Sequence, residues 1–116
     1  MAYIAVDFDG TLCEHTFPTI GKQQAIHKNI MGYVKGAKRK GHKIILWTCR
    51  EDIPEGDYLT QAVKWCKEKG LEFDYVNENP ECDFGHPEKV RKIVADLYID
   101  DKAVSISAFV ELKGVE

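Results

Sequence analysis

Asp7-Phe8-Asp9-Gly10-Thr11 follows directly on the short apolar run Tyr3-Ile4-Ala5-Val6, and Asp100-Asp101 follow another, Leu97-Tyr98-Ile99. Carboxylates converging from two such ends would repel, because like charges a few ångströms apart shift a pKa by units. A bound divalent cation relieves that repulsion. All-oxygen ligation by carboxylates and waters suits Mg²⁺, commonly in the company of phosphate. In that setting Asp7 is a carboxylate nucleophile able to form an aspartyl-phosphate. Asp9, two residues on, would lie near the same edge, able to protonate a leaving oxygen and then to deprotonate the hydrolytic water. Gly10 permits a tight turn that brings backbone amides to a phosphoryl group.

Thr48 closes a third apolar run, Ile44-Ile45-Leu46-Trp47, and offers a hydroxyl donor without adding charge. Phosphoryl transfer is dominated by charge stabilisation, so a cation is required as well. Lys92 is the candidate, with Lys89 one helical turn earlier and Lys102 after the acidic pair as alternatives. Cys49 and Arg50 continue from Thr48 and are counted with the substrate-binding residues. Arg50 has two readings of equal weight: contact with a substrate phosphate or leaving group, or a surface ion pair with Glu51 or Asp52. His15 falls in the loop after the first run, near the expected mouth of the site. Asn77, Glu78 and Asn79 offer polar substrate contacts, but turn formation before Pro80 is the preferred reading.

The elements that must position these residues alternate in type. Tyr3–Val6, Lys43–Trp47, Phe73–Val76 and Leu97–Ile99 read as buried strands. A helix is expected over Gln23–Lys40, with Ile26, Ile30, Tyr33, Val34 and Ala37 on its apolar face and Gly41 as its stop. Gly32 and Gly36 cost that helix about 1 kcal/mol each, a cost expected to be offset by close approach to the sheet. A second helix is expected over Tyr58–Lys69, with Leu59, Ala62, Val63 and Cys66 inward and Gly70 ending it. Glu88–Val94 reads as a third helix opened by Pro87, and Val104–Leu112 alternates as a strand would. Strand and helix in alternation imply a parallel sheet covered by helices on both faces. Ligands bind such sheets at the carboxyl ends of the strands, where the acidic residues fall.

DFDGTL from Asp7 to Leu12 resembles the first motif of the haloacid dehalogenase-like (HAD) phosphohydrolase superfamily. Thr48 is similar to the second motif, Lys92 in KIVADLYIDD to the third and Asp100-Asp101 to the acidic fourth, in the right order over most of the chain. The resemblance implies an α/β three-layer sandwich, a Rossmann-like core with a mainly parallel sheet, filling residues 1–116 as one domain. It implies Asp7 as nucleophile and Asp9 as general acid/base. Mg²⁺ would be held by the Asp7 carboxylate, the Asp9 backbone carbonyl and Asp100, with Asp101 acting through the metal's waters. Thr48 and Lys92 would grip the phosphoryl oxygens. Members of this superfamily usually select substrate with an inserted cap. Here the two insertion slots, Leu12–Gly21 and Asn77–His86, are long enough for a loop only. A capless phosphatase is the expectation, acting on a sugar phosphate, a nucleotide or a phosphorylated polymer end. A homo-oligomer or the substrate itself would close the open site.

The remaining features exclude classes more than they choose one. A chain of 116 residues, 44% hydrophobic and 30% charged, is an ordinary globular domain rather than a disordered or coiled-coil one. No apolar run approaches the roughly 20 residues of a membrane span, and no leader segment is evident, so a cytoplasmic location is expected. Cys13, Cys49, Cys66 and Cys82 form no C-x-x-C pair and read as reduced, small hydrophobes. The histidines share no metal-binding spacing and read as solvent-facing or capping. Between His15 and Arg50 every charged residue is basic. That block would suit nucleic acid, but a solvated helix face is preferred. The alternative function is therefore a non-catalytic phosphate- or nucleic-acid-binding module that keeps the fold, and intact Asp7 and Asp9 count against it.

Overall fold

A computed structural model describes residues 1–80 and 93–102. The helix expected over Glu88–Val94 falls mostly outside the described residues, with Lys89, Lys92, Cys82 and His86, as does the strand expected over Val104–Leu112. The described elements are β1 (Tyr3–Val6), α1 (Ala25–Arg39), β2 (Lys43–Leu46), β3 (Asp52–Ile53), β4 (Gly56–Asp57), α2 (Tyr58–Glu68), β5 (Tyr75–Val76) and β6 (Leu97–Ile99). Four of the strands form a parallel sheet in the order β5-β2-β1-β6, and β3 pairs with β4 in a small antiparallel hairpin. The fold is α/β with a mainly parallel central sheet, as expected. The hairpin lies where only a polar loop was expected, because two-residue strands are too short to show a period.

Chain order explains the layers. Crossovers β1-α1-β2 and β2-α2-β5 run in the same direction along the sheet, and right-handed connections then put both helices on one face. Ile4, Val6, Ile44 and Leu46 point to that face and pack with Met31, Val34 and Ala37 of α1 and Ala62 and Cys66 of α2. The alternate residues Ala5 and Ile45 point the other way and pack with Ile93. The second half of the chain returns on the opposite side of β1, so β1 is flanked by β2 and β6. Both neighbours are parallel to it, and β1 is buried along almost its full length.

Helix α1 is rotated from its expected face. Ile26 and Tyr33 are exposed (61% and 57%), while His27, Met31, Val34 and Ala37 are buried. A histidine can take an inward position here because its Nδ1 accepts a 2.9 Å hydrogen bond from the Gln24 N–H, one of the donors left unpaired at a helix start. Gly32 and Gly36 do not bring the helix close to the sheet: a Cβ on Gly32 would meet open space. The stops are as expected, with Gly41 and Gly70 left-handed (φ 95 and 90) just past α1 and α2.

Two aspartates fix the outer strands at the sheet's amino end. Asp74, before β5, accepts from the Ile44 N–H at 2.8 Å while its own N–H reaches the Ile44 carbonyl. Asp96, before β6, does the same with Tyr3, its Oδ2 accepting at 2.7 Å. Each thereby satisfies a backbone donor on the neighbouring strand that the short sheet leaves unpaired.

Candidate active site

The carboxyl ends of β1, β2 and β6 meet at a pocket of about 320 Å³ lined by Asp7, Asp9, His15, Trp47, Thr48, Cys49, Asp100, Asp101 and Lys102. It lies where the strand order reverses around β1, the place a doubly wound sheet offers to ligands. Asp7, Asp100 and Asp101 each present a carboxylate oxygen, and the three oxygens lie within 4.8 Å of one another. This all-oxygen donor set is of the kind a hard divalent cation takes. Asp7 is pushed up to about 6, chiefly by burial, with repulsion from Asp100, Asp101 and Asp9 adding and a hydrogen bond from the Phe8 backbone opposing.

The turn after β1 aims these groups. Thr11 and Leu12 donate to the Phe8 carbonyl, and the Gly10 N–H reaches the Cys13 carbonyl at 2.9 Å. Gly10 has φ 86, and a Cβ there would fall on the Asp101 carboxylate. The left-handed backbone favours glycine at this position, and the absence of a Cβ leaves room for the Asp101 carboxylate.

Thr48 is held from two sides. Its N–H donates to Asn77 Oδ1 at 2.8 Å, and its hydroxyl oxygen accepts from the Arg50 N–H at 3.1 Å. Asn77 itself is left-handed (φ 52) and donates its backbone N–H to the Leu46 carbonyl at 2.7 Å, so its backbone and its carboxamide oxygen both support the end of β2. Asn79 is buried and its Oδ1 accepts from the Val94 N–H at 2.6 Å. The polar run after β5 is thus structural in these two residues, in keeping with the turn reading.

Arg50 departs from both expectations. Its guanidinium is 1% exposed, does not line the pocket, and makes no surface pair with Glu51 or Asp52. Instead Nε donates to Asp9 Oδ2 and Nη2 to Asp9 Oδ1, each at 2.8 Å. Asp52 is turned away, accepting from the backbone and hydroxyl of Thr60 in the first turn of α2, which lowers its pKa. Because Asp9 faces Arg50, its carboxylate is not part of the acidic cluster, whose third member is Asp101. Lys92 lies outside the described residues, and Lys102 is the lysine described on the pocket wall.

Sequence reading passed over Trp47 and the Phe17 loop. Trp47 is half-exposed on the pocket wall and meets Tyr98 edge to face with centroids 5.7 Å apart. An aromatic residue ending an apolar run reads as core, and only the neighbouring Thr48 hints that it borders a site.

No protein-family model and no curated protein matches the chain. A solved structure does: that of a conserved protein from Bacteroides thetaiotaomicron, 34% identical over 99% of this chain and 93% of that one, with a TM-score of 0.73. The chain belongs to the same family as this conserved Bacteroides thetaiotaomicron protein.

Proposed function

We propose that the protein is a Mg²⁺-dependent phosphomonoesterase of the HAD-like type that works through an aspartyl-phosphate on Asp7. One observation carries the reading: Asp7, Asp100 and Asp101 bring carboxylate oxygens within 4.8 Å of one another at the end of a parallel sheet. Three acids held together by short strand ends are costly without a cation. Asp7, Asp100 and Asp101 would hold Mg²⁺, which when bound offsets the charge of the carboxylates and of a phosphoryl group.

In the first step an Asp7 oxygen attacks phosphorus, the ester P–O bond breaks, and the leaving oxygen takes a proton from the Asp9 carboxyl. In the second, Asp9 takes a proton from water, whose oxygen attacks phosphorus, and the bond to Asp7 breaks to release phosphate. Thr48 contributes a neutral donor to the phosphoryl oxygens, and Lys102 or Lys92 supplies the cation. The leaving group would lie against Trp47, His15 and Cys49. The short segment between Leu12 and Gly21 has no room for a cap domain, so a second copy or the substrate itself would complete the enclosure.

The binding-module alternative loses one cation of the basic helix, Lys38, which is engaged by the Glu72 carbonyl and Asp74 at the opposite end of the sheet. Turnover of an aryl phosphate with Mg²⁺ tests the reading. Activity should vanish in Asp7→Asn and Asp9→Asn, and activity surviving in both would overturn it.

A further inference from the structure

Arg50 is the largest fully buried side chain among the described residues, and its charge is enclosed by acceptors and rings. Besides its two bonds to Asp9, Nη1 donates to the Pro18 carbonyl at 3.2 Å and Nη2 to the Thr19 carbonyl at 2.9 Å. The guanidinium carbon lies 5.0 Å from the centre of the Phe8 ring and 5.1 Å from that of Phe17. Phe17 in turn packs on Tyr58 of α2. The neck of the loop is closed separately, by the Glu14 N–H to the Lys22 carbonyl at 2.8 Å.

We infer that Arg50 is a positioning residue, locking the Asp9 carboxylate and the Pro18–Thr19 turn into one hydrogen-bonded unit at the side of the pocket. The role assigned to Asp9 in it rests on the phosphatase reading above. A carboxylate oxygen accepts two hydrogen bonds, so each Asp9 oxygen keeps one acceptor position beyond its bond to Arg50. The guanidinium fork sets the plane of the carboxylate, which a single ammonium would leave free to turn. The rings of Phe8 and Phe17 set the plane of the fork. Through its own N–H to the Thr48 hydroxyl oxygen, Arg50 also orients a second residue of the pocket. His15, which lines the pocket, lies on the loop whose Pro18–Thr19 turn is clamped.

Turnover of an aryl phosphate with Mg²⁺, and a double-mutant cycle read by hydrogen exchange, test the unit. Arg50→Lys should lower kcat about 10–100-fold, the loss expected from misplacing a reacting group by about an ångström. KM should stay within about twofold, since no substrate contact is removed. In an Asp9→Asn background, which has no turnover to read, the same change should speed amide exchange of residues 15–20 no further. Independent, additive effects of the two changes on loop exchange, or a raised KM with unchanged kcat in Arg50→Lys, would overturn the inference. Hydrogen exchange separates this failure from failure of the phosphatase reading. Amides of residues 15–20 should exchange faster in Arg50→Lys and also in Asp9→Asn, whether or not the wild type hydrolyses any phosphate ester. Loop exchange unchanged in Asp9→Asn, the variant of the more exposed partner, would refute the coupling even if Arg50→Lys does not fold.

Discussion

Burying a carboxylate beside other carboxylates opposes folding, and Asp7 is where this protein carries that load. Its pKa stands at about 6 against 3.8 for a free aspartate. The sign follows from which state ionises first. Below about pH 4 Asp7 is protonated folded and unfolded, and nothing is lost. Between 4 and 6 the unfolded chain ionises first, so stability falls, and above 6 the loss is constant. A two-unit shift at about 1.4 kcal/mol per unit, discounted for partial exposure, leaves on the order of 1–2 kcal/mol. In EDTA at pH 7.5, Asp7→Asn should therefore melt several degrees above the wild type, and the two should converge near pH 4. Thermal melts at both pH values check this; a variant less stable at pH 7.5 would remove Asp7 from a strained cluster. The cysteines divide by the same physics. Burial pushes the Cys66 thiol up to about 12 and raises that of Cys13, whereas Cys49 is exposed. Iodoacetamide at pH 8 should label Cys49 at least about tenfold faster than Cys13 or Cys66, read by peptide mass spectrometry. Asp7, Asp100 and Thr48 were legible in the sequence because each ends an apolar run. The fate of Arg50 was not, since its partner Asp9 is distant in sequence and a neighbouring acid looked as good.

At the scale of elements, strand and helix positions could be read from period and from stop residues, but the face of α1 could not. Hydropathy favours Ile26 and Tyr33 over His27, and hydropathy does not count the backbone donor that His27 satisfies. The same helix yields a direct test. Gly32 is helical and exposed, with open space where a Cβ would be. Gly32→Ala should stabilise the protein by about 1 kcal/mol, through a smaller loss of backbone freedom on folding. Denaturant melts would show the midpoint rising with the slope unchanged; no gain would mean a contact on that face. The two clamping aspartates make the opposite prediction. Asp96→Ala removes the acceptor of the Tyr3 N–H at the start of β1 and should cost about 1 kcal/mol. Asn in its place keeps an oxygen acceptor and should recover most of that. Neither aspartate announces this role in the sequence, because the pairing depends on strand register rather than on local pattern.

For the molecule as a whole, the parallel sheet does two things with few residues. Its buried middle, from Ile4 to Val6 and from Ile44 to Leu46, supplies the core, and its carboxyl edge gathers acids that the core cannot satisfy. Among the described residues, the Leu12–Gly21 loop beside that edge is held by Arg50, which binds the Pro18 and Thr19 carbonyls. An edge of this kind should couple a cation to global folding. A cation that binds only the folded state stabilises it by RT ln(1 + [L]/Kd), or about 2.7 kcal/mol at a hundredfold excess over Kd. Melting temperature should therefore climb with Mg²⁺ concentration in the wild type. The climb should disappear in Asp100→Asn, which removes one of the three carboxylates without touching the core. It should also weaken as pH falls through about 6, because Asp7 must release its proton before it can ligate. Melts across a Mg²⁺ series at pH 5 and pH 7.5 separate this from general salt effects, for which an equal ionic strength of Na⁺ is the control. A melting temperature indifferent to Mg²⁺ at pH 7.5 would leave the acidic edge without its cation, and the phosphatase reading would lose the observation it stands on.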